Sequence, residues 1–134
     1  MKKLLLIPLI SMLSSCALYN AYMLTGFDNN EYQLVTTIRA EAQTFKTECD
    51  DPIKSKNNAT QLTYDTNVFM LYSEHIPHND DVIDASKSLH DIAEGLSNQY
   101  NKSDKVSPMF CKIKFTTVET SADKIQTTVG GRPR

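Results

Sequence analysis

At 134 residues the chain has room for one domain and not comfortably for two. Its formal charge of −2 gives no basic footprint of the kind nucleic acid selects, so a nucleic-acid partner is not expected. The hydrophobic fraction of 40% is modest for a globular protein, and part of it is gathered at the N-terminus.

Met1-Lys2-Lys3 supplies a positive start, and Leu4 to Leu13 is apolar apart from Pro8 and Ser11. Charge, a short apolar run and then small residues make the layout of a secretory signal. The stretch ends Leu13-Ser14-Ser15-Cys16: an aliphatic residue, two small ones and a cysteine. In this the chain resembles bacterial lipoprotein precursors, whose lipobox has that pattern. The likeness covers residues 1–16 and nothing beyond.

The resemblance implies that the signal, residues 1–15, is removed and that Cys16 receives a diacylglyceryl thioether, with palmitate or a similar chain on the new amine. Each buried methylene is worth about 0.8 kcal/mol, and two or more chains make such an anchor effectively permanent. Ala17 rather than Asp after the cysteine implies, in lipoproteins of Gram-negative type, an outer-membrane anchor facing the periplasm. Loss of Lys2 and Lys3 would take the net charge from −2 to −4. Two other readings of the same stretch stay open. Cleavage after Ala17 or Ala21 would release a secreted protein, and Ala17 to Leu24 extends the apolar run far enough for a retained signal-anchor.

With Cys16 assigned to lipid, Cys49 and Cys111 remain, in a compartment that permits disulfides. Pairing them would close a loop of about 60 residues, for which chain-entropy reasoning gives roughly 4 kcal/mol. The alternative, two free thiols as a metal pair or nucleophile, lacks CxxC spacing and an adjacent histidine.

Residues 16–27 read as a lipidated tether whose Tyr19, Tyr22 and Phe27 sit at lipid headgroups or fold back onto the domain. The domain, residues 28–134, reads as about four helices. The first opens at a capping box, Asp28-Asn29-Asn30-Glu31, and buries Val35, Ile38, Ala42, Phe45 and Cys49 before Asp50-Asp51-Pro52 ends it. The second is expected to open near Asn58-Ala59-Thr60-Gln61 and to carry Leu62, Phe69, Met70, Tyr72 and Ile76, against the preference of its β-branched residues. Ile76-Pro77-His78-Asn79 breaks the chain.

Asp80 and Asp81 open the third helix, whose stripe is Val82, Ala85, Leu89, Ile92, Ala93, Leu96 and Tyr100, interrupted by Gly95. Ser107-Pro108 caps the fourth, which carries Cys111, Phe115, Val118, Ala122, Ile125 and Val129 and stops at Gly130-Gly131. Met109 to Phe115 also alternates like a strand, but no other segment offers it a partner. The expected fold is therefore mainly α: a small antiparallel bundle stapled by one disulfide.

Chemistry-bearing clusters are weak. His75, His78 and Asp80 could serve as metal ligands, yet H-x-x-H around Pro77 fits no zinc signature, and no cofactor is expected. His90 has no nucleophile nearby in sequence, and the acid pairs Asp50-Asp51 and Asp80-Asp81 fall where helices begin and end. The basic end, Gly130-Gly131-Arg132-Pro133-Arg134, reads as an ordinary frayed terminus. These observations point to a non-enzymatic binding module held at the membrane, with an envelope protein or the cell wall as partner. A second expectation is a phage-encoded envelope effector, because a small lipoprotein with so little housekeeping signature looks like those phages carry for lysis or superinfection exclusion. Outer-membrane spanins are commonly proline-rich, however, and this chain has five prolines and a helical pattern. An enzyme of wall or lipid metabolism is the third expectation.

Overall fold

The computed structural model describes residues 25–103 and 105–134. Cys16, the cleavage site, Tyr19 and Tyr22 lie outside the described residues. Within them the chain forms four helices: α1 (Asn29–Phe45), α2 (Pro52–Ser73), α3 (Asp80–Lys102) and α4 (Pro108–Gly130), with a 3-10 turn at Lys46–Glu48 after α1. They run alternately up and down. α1 packs chiefly on α4 and α2 on α3, and α1–α2 and α3–α4 contacts close the square.

Asp28 caps α1, its carboxylate accepting a hydrogen bond from the Glu31 backbone N–H at 2.7 Å. Val35, Ile38 and Ala42 face the core as their spacing predicts, and Phe45 packs at its edge. The reciprocal half of the expected capping box is absent. Glu31 does not reach back to the cap but turns inward and is fully buried.

α2 differs most from expectation. It begins at Pro52, not near Asn58. Asp51 accepts from the backbone N–H groups of Ile53 and Lys54 at 3.0 and 3.1 Å. Asp-Pro therefore acts as a start signal: proline at the first helical position loses only an N–H that has no partner there anyway. Its threonines accommodate the helix by donating to carbonyls four residues back, as Thr63 does to Ala59 and Thr66 to Leu62, both at 2.8 Å. Leu62 and Phe69 are buried, whereas Met70, Tyr72 and Ile76 are only partly so.

The stripe of α3 is as expected, with Val82, Leu89, Ala93, Leu96 and Tyr100 buried and Ala85 and Ile92 packed beside them. The Tyr100 hydroxyl donates to Ser55 Oγ at 2.8 Å, giving the buried ring a polar partner on α2. In α4, Ser107 caps by accepting from Phe110 N–H at 3.1 Å. The whole of 109–118 is helical. Its alternation resolves into two faces: Cys111 and Phe115 point into the core, while Met109 and Ile113 point outward, 67% and 54% exposed.

Cys49, just past the 3-10 turn, is bonded to Cys111 in the first turns of α4, with 5.8 Å between their Cα atoms. The bond joins positions 62 residues apart, and at that length the constraint on the unfolded chain is worth roughly 4 kcal/mol.

Gly95 lies in the middle of α3, exposed, with open space where a side chain would begin. Gly95→Ala is expected to stabilise the fold by about 1 kcal/mol, since alanine loses less backbone entropy and adds no clash. Chemical denaturation of both proteins checks this; an unchanged midpoint would mean the glycine is there for another reason.

Candidate functional site

The end of the bundle where Thr25 and the C-terminal residues lie is built around one carboxylate. Glu31 Oε1 accepts from Ser73 Oγ at 2.9 Å and from Asn79 Nδ2 at 2.7 Å. Its Oε2 accepts from Arg132 Nη1 at 2.7 Å. The second Arg132 nitrogen donates to Asn79 Oδ1, and Asn79 Nδ2 also donates to the Ser73 carbonyl at 3.0 Å. Ser73 and Asn79 are buried, and the Arg132 side chain is only 10% exposed. Glu31 of α1 and Asn79 of the α2–α3 turn thus meet the C-terminal segment directly, and Ser73 of α2 joins the network through both of them.

Neighbouring contacts reinforce the closure. Phe27 N–H donates to the Pro133 carbonyl at 2.8 Å, and the Arg134 guanidinium sits 4.8 Å from the centre of the Phe27 ring. The Tyr72 hydroxyl donates to Asp28 at 3.1 Å. The C-terminus is therefore a clasp and not the frayed end that its Gly-Gly sequence suggests. Phe27 takes the second of its two expected placements, folded back on the domain. An open hollow of about 620 Å³ lies over the clasp, walled by Thr25, His78, Asp81, Thr128 and Arg132.

The proposed metal-ligand candidates do not converge. His75 Nδ1 is 3.0 Å from the Leu71 carbonyl, His78 is exposed, and Asp80 is an exposed acid in the first turn of α3. Among the described residues, no group of three His, Cys, Asp or Glu side chains could hold a metal ion. His90 Nδ1 lies 3.2 Å from Thr66 Oγ1 and links α3 to α2. Asp51 caps α2, and Asp50 pairs with Lys112 at 3.3 Å.

A second polar contact escaped the sequence pattern. Glu41 on α1 faces Asp65 on α2, and Gln61 donates to Asp65 Oδ2 at 2.7 Å. Burial, then the Asp65 charge and a hydrogen bond to it, raise the Glu41 pKa from 4.5 to about 7. The Glu41 Oε2 atom is buried with no hydrogen-bond partner. Glu41 precedes the core residue Ala42, and an acid one step off a helical stripe gives no sign in sequence of facing another acid. No known protein family, curated protein or solved structure matches the chain.

Two outcomes follow. His78 has φ of +59°, a left-handed conformation that costs a side-chain-bearing residue about 1 kcal/mol. His78→Gly should raise stability by about 0.5–1 kcal/mol in thermal unfolding; a loss would show that the imidazole makes a contact the fold needs. For Glu41 the folded pKa lies above the unfolded one, so the folded state binds the extra proton. Its contribution is complete below about pH 4.5 and is lost as pH rises through about 7. After allowance for solvent screening the loss is on the order of 1 kcal/mol. Glu41→Gln should therefore be more stable than the parent at pH 8 and no more stable at pH 4, and equal gains at both values would contradict the assignment.

Proposed function

We propose that the protein is an envelope lipoprotein, anchored through acylated Cys16 in the outer membrane and facing the periplasm. On this reading the helical domain is a non-enzymatic module that binds an envelope protein or the cell wall. The observation that carries the reading is the N-terminal sequence: a basic start, an apolar run and Leu13-Ser14-Ser15-Cys16. Two further facts support it. The Cys49–Cys111 bond is of a kind that persists in oxidising compartments and is rare in the cytosol. Among the described residues no helix is long and apolar enough to cross a membrane, so attachment would depend on the N-terminal stretch.

The physical consequence is a short leash. Only residues 17–24 separate Cys16 from Thr25, and an extended chain of that length spans about 30 Å at most. The clasp lies at the end where the leash joins, so pull from the anchor falls on a closed, buried network.

Metabolic labelling with palmitate tests the reading. The wild-type chain should carry label and sediment with membranes. Cys16→Ala should lose all label and keep its signal, migrating as the larger precursor. An unlabelled wild type, or a labelled Cys16→Ala chain, would overturn the proposal.

A further inference from the structure

We infer that the bundle end opposite the clasp is a docking surface for an acidic, amphipathic segment of a partner protein. The inference rests on the anchored reading for its orientation and on the surface itself for its chemistry. α2 and α4 both begin at this end, and their first turns expose Ile53 (75%), Met109 (67%) and Phe110 (37%), with Ile113 one turn further along. Four of the six large apolar side chains left exposed among the described residues lie toward this end, Ile53 on one side of α3 and Met109, Phe110 and Ile113 on the other, and exposed apolar surface of this kind marks interaction sites. Two depressions flank the end of α3. One, of about 240 Å³, is walled by Ile53 and Tyr100 with Lys56 at its rim. The other, of about 310 Å³, is walled by Val106 and Phe110 with Lys105 at its rim.

The charge at this end leans basic: Lys54, Lys56, Lys102, Lys105, Lys112 and Lys114 fall here, against the acids Glu48, Asp50 and Asp51. Lys54 and Lys112 reach Glu48 and Asp50 at 3.8 and 3.3 Å, in exposed pairs worth little. Lys114 lies 5.5 Å from the centre of the Phe110 ring. Lys56, Lys102 and Lys105 form no ion pair among the described residues. The N-terminus of α2 is met by the Asp51 carboxylate, whereas that of α4 is capped only by the neutral Ser107 hydroxyl and has no acid in its first turn. An anionic partner would pair with the lysines at this end and with the α4 dipole, while the acids exposed on α3 (Asp81, Asp84, Asp91, Glu94) would repel it elsewhere and guide it to the basic end.

Those α3 acids offer no exposed apolar side chains, so a second copy would meet the lysines but leave both depressions empty. A bilayer is disfavoured by position. The leash joins at the other end, and a helix of 23 residues sets the basic end about 34 Å beyond it. A segment carrying two large apolar side chains among carboxylates satisfies both depressions and both rim lysines.

The test uses the full-length chain in cells, with a photo-reactive phenylalanine analogue at Ile53 or Met109 and, as control, at the exposed Thr117. Both test positions should yield adducts to the same peptide, rich in Asp and Glu with interspersed large apolar residues, and Thr117 should not. Combined Lys56→Glu and Lys105→Glu should cut the yield at least fivefold, with helical content by circular dichroism unchanged, whereas Lys124→Glu should not. Adducts to lipid, to a second copy or to wall fragments, or no adduct above control, would overturn the inference. So would a yield that survives charge reversal. Palmitate labelling of the same cells separates the two proposals: an unlabelled chain with the acidic adduct overturns the anchor and supports the docking surface.

Discussion

The burial of Glu31 constrains the clasp end of the bundle. A carboxylate removed from water must be matched by donors, and leaving one unmatched costs several kcal/mol. Here three side chains supply them, from α2, from the α2–α3 turn and from the last residues of the chain. Each donor is drawn to a fixed place. Ser73 defines where α2 ends, Asn79 gives up side-chain capping of α3 to serve the network, and Arg132 brings the chain back beside Phe27. The opposite end is held covalently by Cys49–Cys111 and by the Tyr100–Ser55 hydrogen bond. Between the two closures lies an apolar core of ordinary composition.

On the proposed anchoring, this division makes mechanical sense, because the domain would be held from one end. Hydrophobic burial in the middle is non-directional and tolerates small shifts, whereas a buried ion pair with satisfied neighbours specifies a single arrangement. The closed end can hold the N- and C-terminal segments together while the far end keeps apolar side chains and lysines in water. Exposing Ile53, Met109 and Ile113 does nothing for the isolated bundle. That cost falls on the end farthest from the clasp.

The helices were legible in the sequence wherever burial followed a single stripe. Val82 to Tyr100 and Cys111 to Val129 fall on the core at the spacing the residues announce. The start of α2 is hidden in the sequence because Asp50-Asp51-Pro52 reads as a stop as readily as a start, and the polar Lys54–Asn57 run has no stripe to betray it. The strand-like alternation of Met109 to Phe115 misleads for a related reason: two apolar faces coexist, one for the core and one for solvent. Arg132 was illegible. Nothing in Gly-Gly-Arg-Pro-Arg says that a buried carboxylate about a hundred residues earlier needs a cation, because that demand arises only once the helices have packed.

The claim that Glu31 and Arg132 organise the closed end is tested most directly by a double-mutant cycle, with Glu31→Gln, Arg132→Met and the combination compared by chemical denaturation. Each single change should cost about 3 kcal/mol by leaving the other group without its partner, and the double change little more than the worse single, a coupling of roughly 3 kcal/mol. Costs that simply add, with coupling near zero, would contradict the account and leave the ion pair a bystander to packing.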